Sequence, residues 1–442
     1  MEEEKPKIQL LEEQFVRALR EGKAFDINGK EHDFCVYERV DIANQKIIAY
    51  KIEMIEVKED ILARRIICDK RLTLSHCDFN NLHIMDSEFN ESIELLNITS
   101  KGTLSIARAK LKSISVTNGD LLRMSLMDSF IEDSIGLLGC KIETDISIVS
   151  CIVSGYIHFH TTQIENSIYL SGSQINNIHF NNISFKTLAI PSIPENGTVK
   201  LQTIHFESLY TDDNFTNLGY MKWSNFVALS SGSKIEIMNS MMGKWDIINC
   251  NFSETTMIFF GSKITDAFYT NTHFPAILHL PNGAFNEKLR HEILRDGYNQ
   301  LKTLAQKQND RGMYLHYQAE ELKSYHETLK GEKNHRATRF QLWAMSVSNN
   351  YGTSWWKGVK FVAGINLTFV IVCFWHRTPQ FDCSGIGNFF NLYLSSLSLI
   401  SIPKILSTDS NWEMNWFYIS RIPLAFGIYQ TIAAFRKFGK SE

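Results

Sequence analysis

The sequence holds few of the features that announce chemistry. Its eight cysteines (Cys35, Cys68, Cys77, Cys140, Cys151, Cys250, Cys373, Cys383) include no CxxC pair. That argues against the common zinc sites and a disulfide framework, so no metal is expected. GxGxxG, the Walker sequence, HExxH and GxSxG are all missing. The expectation is therefore a protein that is not an enzyme and uses no cofactor. The opening, MEEEKPK, is acidic and polar, unlike a secretory signal peptide. Without a secretory route, the Asn-x-Ser/Thr triplets at Asn97, Asn182 and Asn251 are expected to be turns rather than glycosylation sites. Charge is modest too: 21% of the 442 residues are charged, and the formal net charge is -3. Such a balance gives no pull toward a polyanion, and nucleic acid is not expected as a partner.

What is present is a repeat. From about residue 60 to 280, short apolar–polar alternations recur at a fixed step. The step is five over Leu72-x-Leu74, Cys77-x-Phe79, Leu82-x-Ile84 and Ser87-x-Phe89. It becomes five plus six over Ile135-x-Leu137, Cys140-x-Ile142, Ile146-x-Ile148, Cys151-x-Val153, Ile157-x-Phe159 and Ile168-x-Leu170. Apolar residues at a step of five do not line a helix face. Strands of two or three residues bury too little to stand alone. Stacked as coils, they pair each backbone with the coil above and below and send alternate side chains inward. Asn, Asp, Ser and Gly between the pieces supply corners. Cys77, Cys140, Cys151 and Cys250 fall at small inward positions and are expected to be buried and reduced. His158 and His160 flank inward Phe159, so they are expected on the outer face rather than at a metal.

Cys77-Asp78-Phe79-Asn80-Asn81, Leu82-His83-Ile84 and Ser87-Glu88-Phe89 resemble degenerate pentapeptide repeats. The resemblance implies a mainly β fold, a right-handed parallel β-helix with coils of about twenty residues. The six-residue steps depart from that family's strict spacing and imply bulged corners.

Four regions are expected. Residues 1–60 form an N-terminal cap, with an amphipathic helix over Ile8–Arg20 and strands between Phe25 and Val57. Residues 61–283 form the β-solenoid. Residues 284–350 form a helical connector. Within it, Leu294, Tyr298, Leu301 and Ala305, then Leu315, Ala319, Leu322, Tyr325 and Leu329, mark a helical hairpin turning at Gln308–Gly312. A third helix, Arg336–Ser348, carries Phe340, Trp343 and Val347 on one side behind a basic approach. That suits a helix lying in a membrane interface, the alternative being a short core helix.

Residues 351–442 are expected to form a two-transmembrane domain. The first span covers Phe361–Trp375, extended back to Trp355; the second covers Trp416–Phe435. Six of the eight tryptophans follow residue 340, as in an aromatic belt. The membrane-interface set is Trp343, Trp355, Trp356, Trp375, Trp416, Lys357, Lys360, Arg436 and Lys437. Lys and Arg crowd the outer flanks of the pair, whereas 376–415 holds only Arg377 and Lys404. The positive-inside rule then places both termini in the cytoplasm of a multi-pass protein of the cell inner membrane.

Between the spans lies an apolar, serine-rich loop, 388–406, of re-entrant character. The order of span, re-entrant loop and span resembles the two-transmembrane potassium-channel layout. The Thr-Val-Gly-Tyr-Gly filter is absent, so a carbonyl-lined potassium filter does not carry over. The pore-lining candidates are Ser395, Ser396, Ser398, Ser401, Arg421 and Gln430. Arg421 sits inside the second span, where an arginine marks function by default; near a helix end the alternative is a headgroup contact. The C-terminal stretch from Asn349-Asn350-Tyr351-Gly352 through Gly427-Ile428-Tyr429-Gln430-Thr431 to Phe438-Gly439-Lys440 resembles the tail of bacterial pentapeptide-repeat membrane proteins with ion-channel-like ends. The functional expectation is an oligomeric ion-channel-like pore, tetrameric by layout, coupled to a cytoplasmic solenoid sensor. The alternative is a membrane-anchored scaffold. The expected partners are the lipid bilayer, further copies of the chain, and a protein or small ligand on the solenoid.

Overall fold

A computed structural model describes residues 8–10, 24–25, 31–32, 40–41, 46–47, 49–53, 55–57, 60–68, 71–211, 215–264, 266–280, 285–330, 332–377, 383–398 and 411–439. The chain divides into two units, Met1–Pro281 and Asn282–Glu442.

The first unit is a β-solenoid of about ten turns over residues 61–270, with a right-handed-like winding. Every pairing in its long sheet is parallel. One inward column runs Ile61, Leu82, Leu104, Met124, Ile146, Ile168, Leu188, Leu209, Ile235 and Met257. A second runs Leu72, Ile93, Ile114, Ile135, Ile157, Ile178, Val199, Met221, Trp245 and Ala267. All of these side chains are buried. Burying a side chain of this size contributes about 1.5–3 kcal/mol, so the stacked columns dominate the stability of this unit.

The corners explain the step of ten or eleven. Asp86, Asn97, Arg108, Asn118, Asp128, Gly139, Ser150, Thr161, Gly172 and Asn182 all have positive φ. At several such corners the next residue is Ser, Thr or Cys, and its hydroxyl or thiol donates to the carbonyl two residues back. Ser87, Ser129, Cys140, Cys151, Thr162 and Cys250 all do this. Some of these oxygens also accept from the neighbouring coil, as Ser87 does from the Ile66 amide at 3.1 Å and Ser129 from the Ala109 amide at 3.1 Å. Cysteine and serine are interchangeable here because both donate across a tight corner. Bulges interrupt the register between Ser100 and Thr103, Leu111 and Ser113, and Val153 and Tyr156.

Two details differ from the sequence reading. Ile8–Leu10 is a strand in parallel register with Ile55–Val57, not the start of a helix. The alternation Ile8-x-Leu10 extends the ladder, and that pairing outweighs local helical periodicity; residues 11–20 lie outside the described residues. The ladder also reaches back before Ile61, since Ala49–Glu53 pairs with Arg71–Ser75.

The second unit is helical. Helices α1 (Glu287–Lys307) and α2 (Arg311–Thr328) form the hairpin, capped by the Asn286 and Asp310 side chains. Helix α3 spans Arg336–Asn349. Helix α4 spans Trp355–Arg377, α5 Cys383–Ser395 and α6 Asn411–Gly439. Among the described residues only α4, over Trp355–Cys373, is long and apolar enough to cross a membrane. Helix α6 covers the second expected span with length to spare, 29 residues. It falls short on composition because Ser420, Arg421, Gln430 and Thr431 dilute its apolar run.

Candidate functional site

Helices α4 and α6 run antiparallel in close contact. Trp355 meets Phe435 at 6.1 Å between ring centres, and Phe369 meets Phe417 at 6.0 Å. Glycines permit the approach. A Cβ on Gly427 would stand 2.9 Å from atoms of both Phe361 and Val362, and one on Gly358 would overlap the Thr431 hydroxyl. Small residues at a helix crossing let backbones pack closely, the usual basis of helix association in lipid.

A polar knot sits within this apolar packing. Asn366, 2% exposed, lies on α4. Its amide donates to the Tyr393 carbonyl at 2.7 Å and accepts from Ser396 Oγ at 2.9 Å. Ser396, wholly buried, follows the last turn of α5, and its single hydroxyl proton is shared between Asn366 and the Tyr393 carbonyl at 3.0 Å. From α6, Arg421 Nη1 donates to the Ser396 carbonyl. The Arg421 guanidinium lies 3.8 Å from the Phe417 ring centre, a stacking cation–π contact. Three helices thus converge on one turn, and Phe369, Val370, Cys373, Leu392 and Phe417 pack around it. Two further guanidinium nitrogens, Nε and Nη2, are buried with no hydrogen-bond partner. An unsatisfied buried donor costs about 1–3 kcal/mol.

The remaining expected site residues are scattered around the knot. Ser395 donates back into α5, to the Asn391 carbonyl at 2.6 Å. Ser398 lies just beyond, and Ser401 is outside the described residues. Gln430 lies more than two turns further along α6, away from the knot, and accepts from buried Asn349 at 2.7 Å, tying α6 to the end of α3. Asn349 in turn accepts from the Gly352 amide at 2.9 Å. Asn366, Tyr393 and Asn349 did not stand out in the sequence reading; a lone asparagine inside the apolar run GINLTFVIV was the available signal for Asn366.

The members of the interface set with described side chains are exposed. Trp343 and Trp356 are more than half exposed, Trp355 and Trp416 about two-fifths, and Trp375 is 84% exposed. By contrast, Trp223 and Trp245 are buried in the solenoid, 4.5 Å apart between ring centres. Lys360 reaches over the Trp356 ring, and Lys357 donates to Asn350 at 3.3 Å. Arg436 is exposed near the end of α6, and Lys437 follows it. Only 28% of the apolar stretch of α4 is buried, whereas a soluble core helix would be mostly covered.

Outside the knot, the hairpin joins α3 through Ala319, Leu329, Leu342 and Tyr351. His326 and the Tyr351 hydroxyl are 3.2 Å apart. On the solenoid, His158, His179, Lys200 and Lys222 stand in one outward column on successive coils. Burial, then the charge of His160, holds His158 below its ordinary pKa; burial, then Lys200 and His158, does the same to His179. Among the described residues no group of three or more His, Cys, Asp or Glu side chains is placed to hold a metal. No protein-family model, curated protein or solved structure matches the chain.

Proposed function

We propose that the chain assembles as a homo-oligomer, a tetramer by layout, in the cell inner membrane. Helices α4 to α6 of several copies enclose an ion-conducting pore, with both termini and the solenoid in the cytoplasm. The exposed apolar surface of α4 and the tryptophans at its ends support insertion into lipid. Oligomerisation follows because two long helices cannot enclose a pore. The short α5 between two long helices supports the span, re-entrant segment and span layout.

The observation that carries the reading is the knot at Ser396. An arginine within a membrane span is costly, and the place of Arg421 beside a buried Asn–Ser pair supports a role in an ion path. Reconstituted protein should pass ions in flux and planar-bilayer assays. Protein that is monomeric in mild detergent and electrically silent overturns the proposal.

The second reading is a membrane-anchored scaffold. It is favoured by the outer solenoid face over Tyr156–His160, Asn177–Asn181 and Thr198–Gln202, whose own residues include no carboxylate; at the next coils Tyr220 donates to Asp246 at 2.6 Å. Such a face suits an acidic protein segment. On this reading, replacing residues 351–442 with an unrelated anchor preserves function; on the pore reading it abolishes it.

A further inference from the structure

We infer that helix α3 lies in the cytoplasmic surface of the bilayer and docks on anionic phospholipid, with Phe340, Trp343 and Val347 among the acyl chains and Arg336 at the headgroups. This rests on the membrane reading of α4 above, but not on conduction. The helix is apolar on two sides. On one, Leu342 is buried against Ala319, Leu329 and Tyr351, with Met345 packed beside them. On the other, Arg336, Phe340, Trp343 and Val347 follow at steps of four, three and four, which puts them on one stripe. Phe340, Trp343 and Val347 are 67%, 52% and 44% exposed, and the two rings lie 5.6 Å apart between centres. An exposed apolar ridge of this kind marks a surface that another phase or molecule covers.

Two observations make lipid the cover. The first is depth. Asn349, at the end of α3, donates to Gln430 on α6 at 2.7 Å. Gln430 stands five residues inside Phe435, about 7.5 Å along the helix axis. Phe435 meets Trp355, the first residue of the apolar stretch of α4, and the next turn brings Gly358 against Thr431. The end of α3 is therefore level with the first turn of that stretch, where headgroups give way to acyl chains. The second observation is charge. Residues 333–381 and 414–441 contain no Asp or Glu. Their cations include Lys333, Arg336 and Arg339 beside the stripe, Lys357 and Lys360 at the start of α4, and Arg436 near the end of α6. Glu332, the last acid before α3, is paired with Lys288 at 2.9 Å. Exposed aromatic residues beside a basic set without carboxylates hold a helix in an anionic interface.

The test uses the full chain in phospholipid vesicles. An NBD fluorophore is placed on Trp343→Cys and, separately, on Gln341→Cys, with Cys35, Cys68 and Cys383 replaced by Ser. Gln341 is also exposed but lies about 160° around the helix from Trp343. A doxyl group on the acyl chains should quench the label at 343 at least about threefold more than the label at 341. Adding phosphatidylglycerol to phosphatidylcholine should strengthen quenching at 343. In Arg336→Gln, the phosphatidylglycerol content that gives half of this gain should rise by up to about fivefold, the factor one Lys or Arg contributes at an anionic surface. Equal quenching at the two positions, no response to phosphatidylglycerol, or no shift in Arg336→Gln overturns the inference.

Protein that alkaline carbonate strips from the vesicles overturns the membrane reading itself. Protein that resists carbonate but keeps an unquenched label at 343 overturns the inference and leaves that reading standing. If excess unlabelled protein changes the emission at 343 and doxyl lipid does not, a second copy covers the stripe and the inference fails. None of these readouts depends on current, so an electrically silent protein that shows the expected quenching overturns the pore and supports the lipid contact.

Discussion

The contribution of the Asn366–Ser396 bond is measurable by a double-mutant cycle. Asn366→Ala removes the donation to the Tyr393 carbonyl at 2.7 Å and the acceptance from Ser396 Oγ at 2.9 Å. Ser396→Ala removes the one hydroxyl proton, which is shared between Asn366 and the Tyr393 carbonyl at 3.0 Å. At 2% and 0% exposure, neither side chain has water to fall back on. With a net hydrogen bond contributing about 1 kcal/mol, each truncation should destabilise by roughly 2 kcal/mol or more. Orphaned groups cancel in the cycle. Ser396→Ala strands the Asn366 oxygen, the double variant strands the Tyr393 carbonyl, and Asn366→Ala strands neither. The double variant should therefore fall short of the summed singles by about 1 kcal/mol, near the upper part of the range for helix pairs in lipid. Equilibrium unfolding of the full chain in mixed micelles, followed by tryptophan fluorescence, gives the four midpoints. Additivity within about 0.3 kcal/mol would refute the geometry of the knot.

Gly358→Leu should separate α4 from α6, because the added carbon overlaps the Thr431 hydroxyl. A loss of more than about 2 kcal/mol is expected in the same assay, and wild-type stability would count against the close crossing. Acid should weaken the solenoid. The depressed pKa values of His158 and His179 mean their contribution is whole above about pH 6.5 and is lost as pH falls through the lower, folded value. Replacing both with Gln should flatten the fall in melting temperature between about pH 7 and 5; an unchanged slope rejects the assignment. Burial raises the thiols of Cys140 and Cys151, and that of Cys250 to about 11. These three should resist iodoacetamide at about pH 8 until the chain unfolds, and labelling at the rate of the denatured protein would contradict their corner role.

Much of the architecture is written in local pattern. The inward columns follow from the step of five and six, because only a stacked coil returns residues such as Ile135, Ile157 and Ile178 to one line. The hairpin, α3 and α4 follow from helical periodicity and from the uncharged run after Lys360. The failures are equally physical. Ile8–Leu10 suits either a helix or a strand, and the partner that decides, Ile55–Val57, lies far along the chain. The same holds for the knot. Arg421 and Ser396 stood out as polar residues in an apolar region, but their mutual contact, and the roles of Asn366 and Tyr393, required the helices to be packed.

The sequence alone thus determined a solenoid, a helical hairpin and a tryptophan-flanked apolar helix, because each is set by neighbours within one coil or one helix. Only the tertiary structure decided which serine is buried, which asparagine holds it, and which edge of Arg421 remains without a partner. Those facts depend on three helices meeting at one turn, and no sequence spacing encodes that convergence.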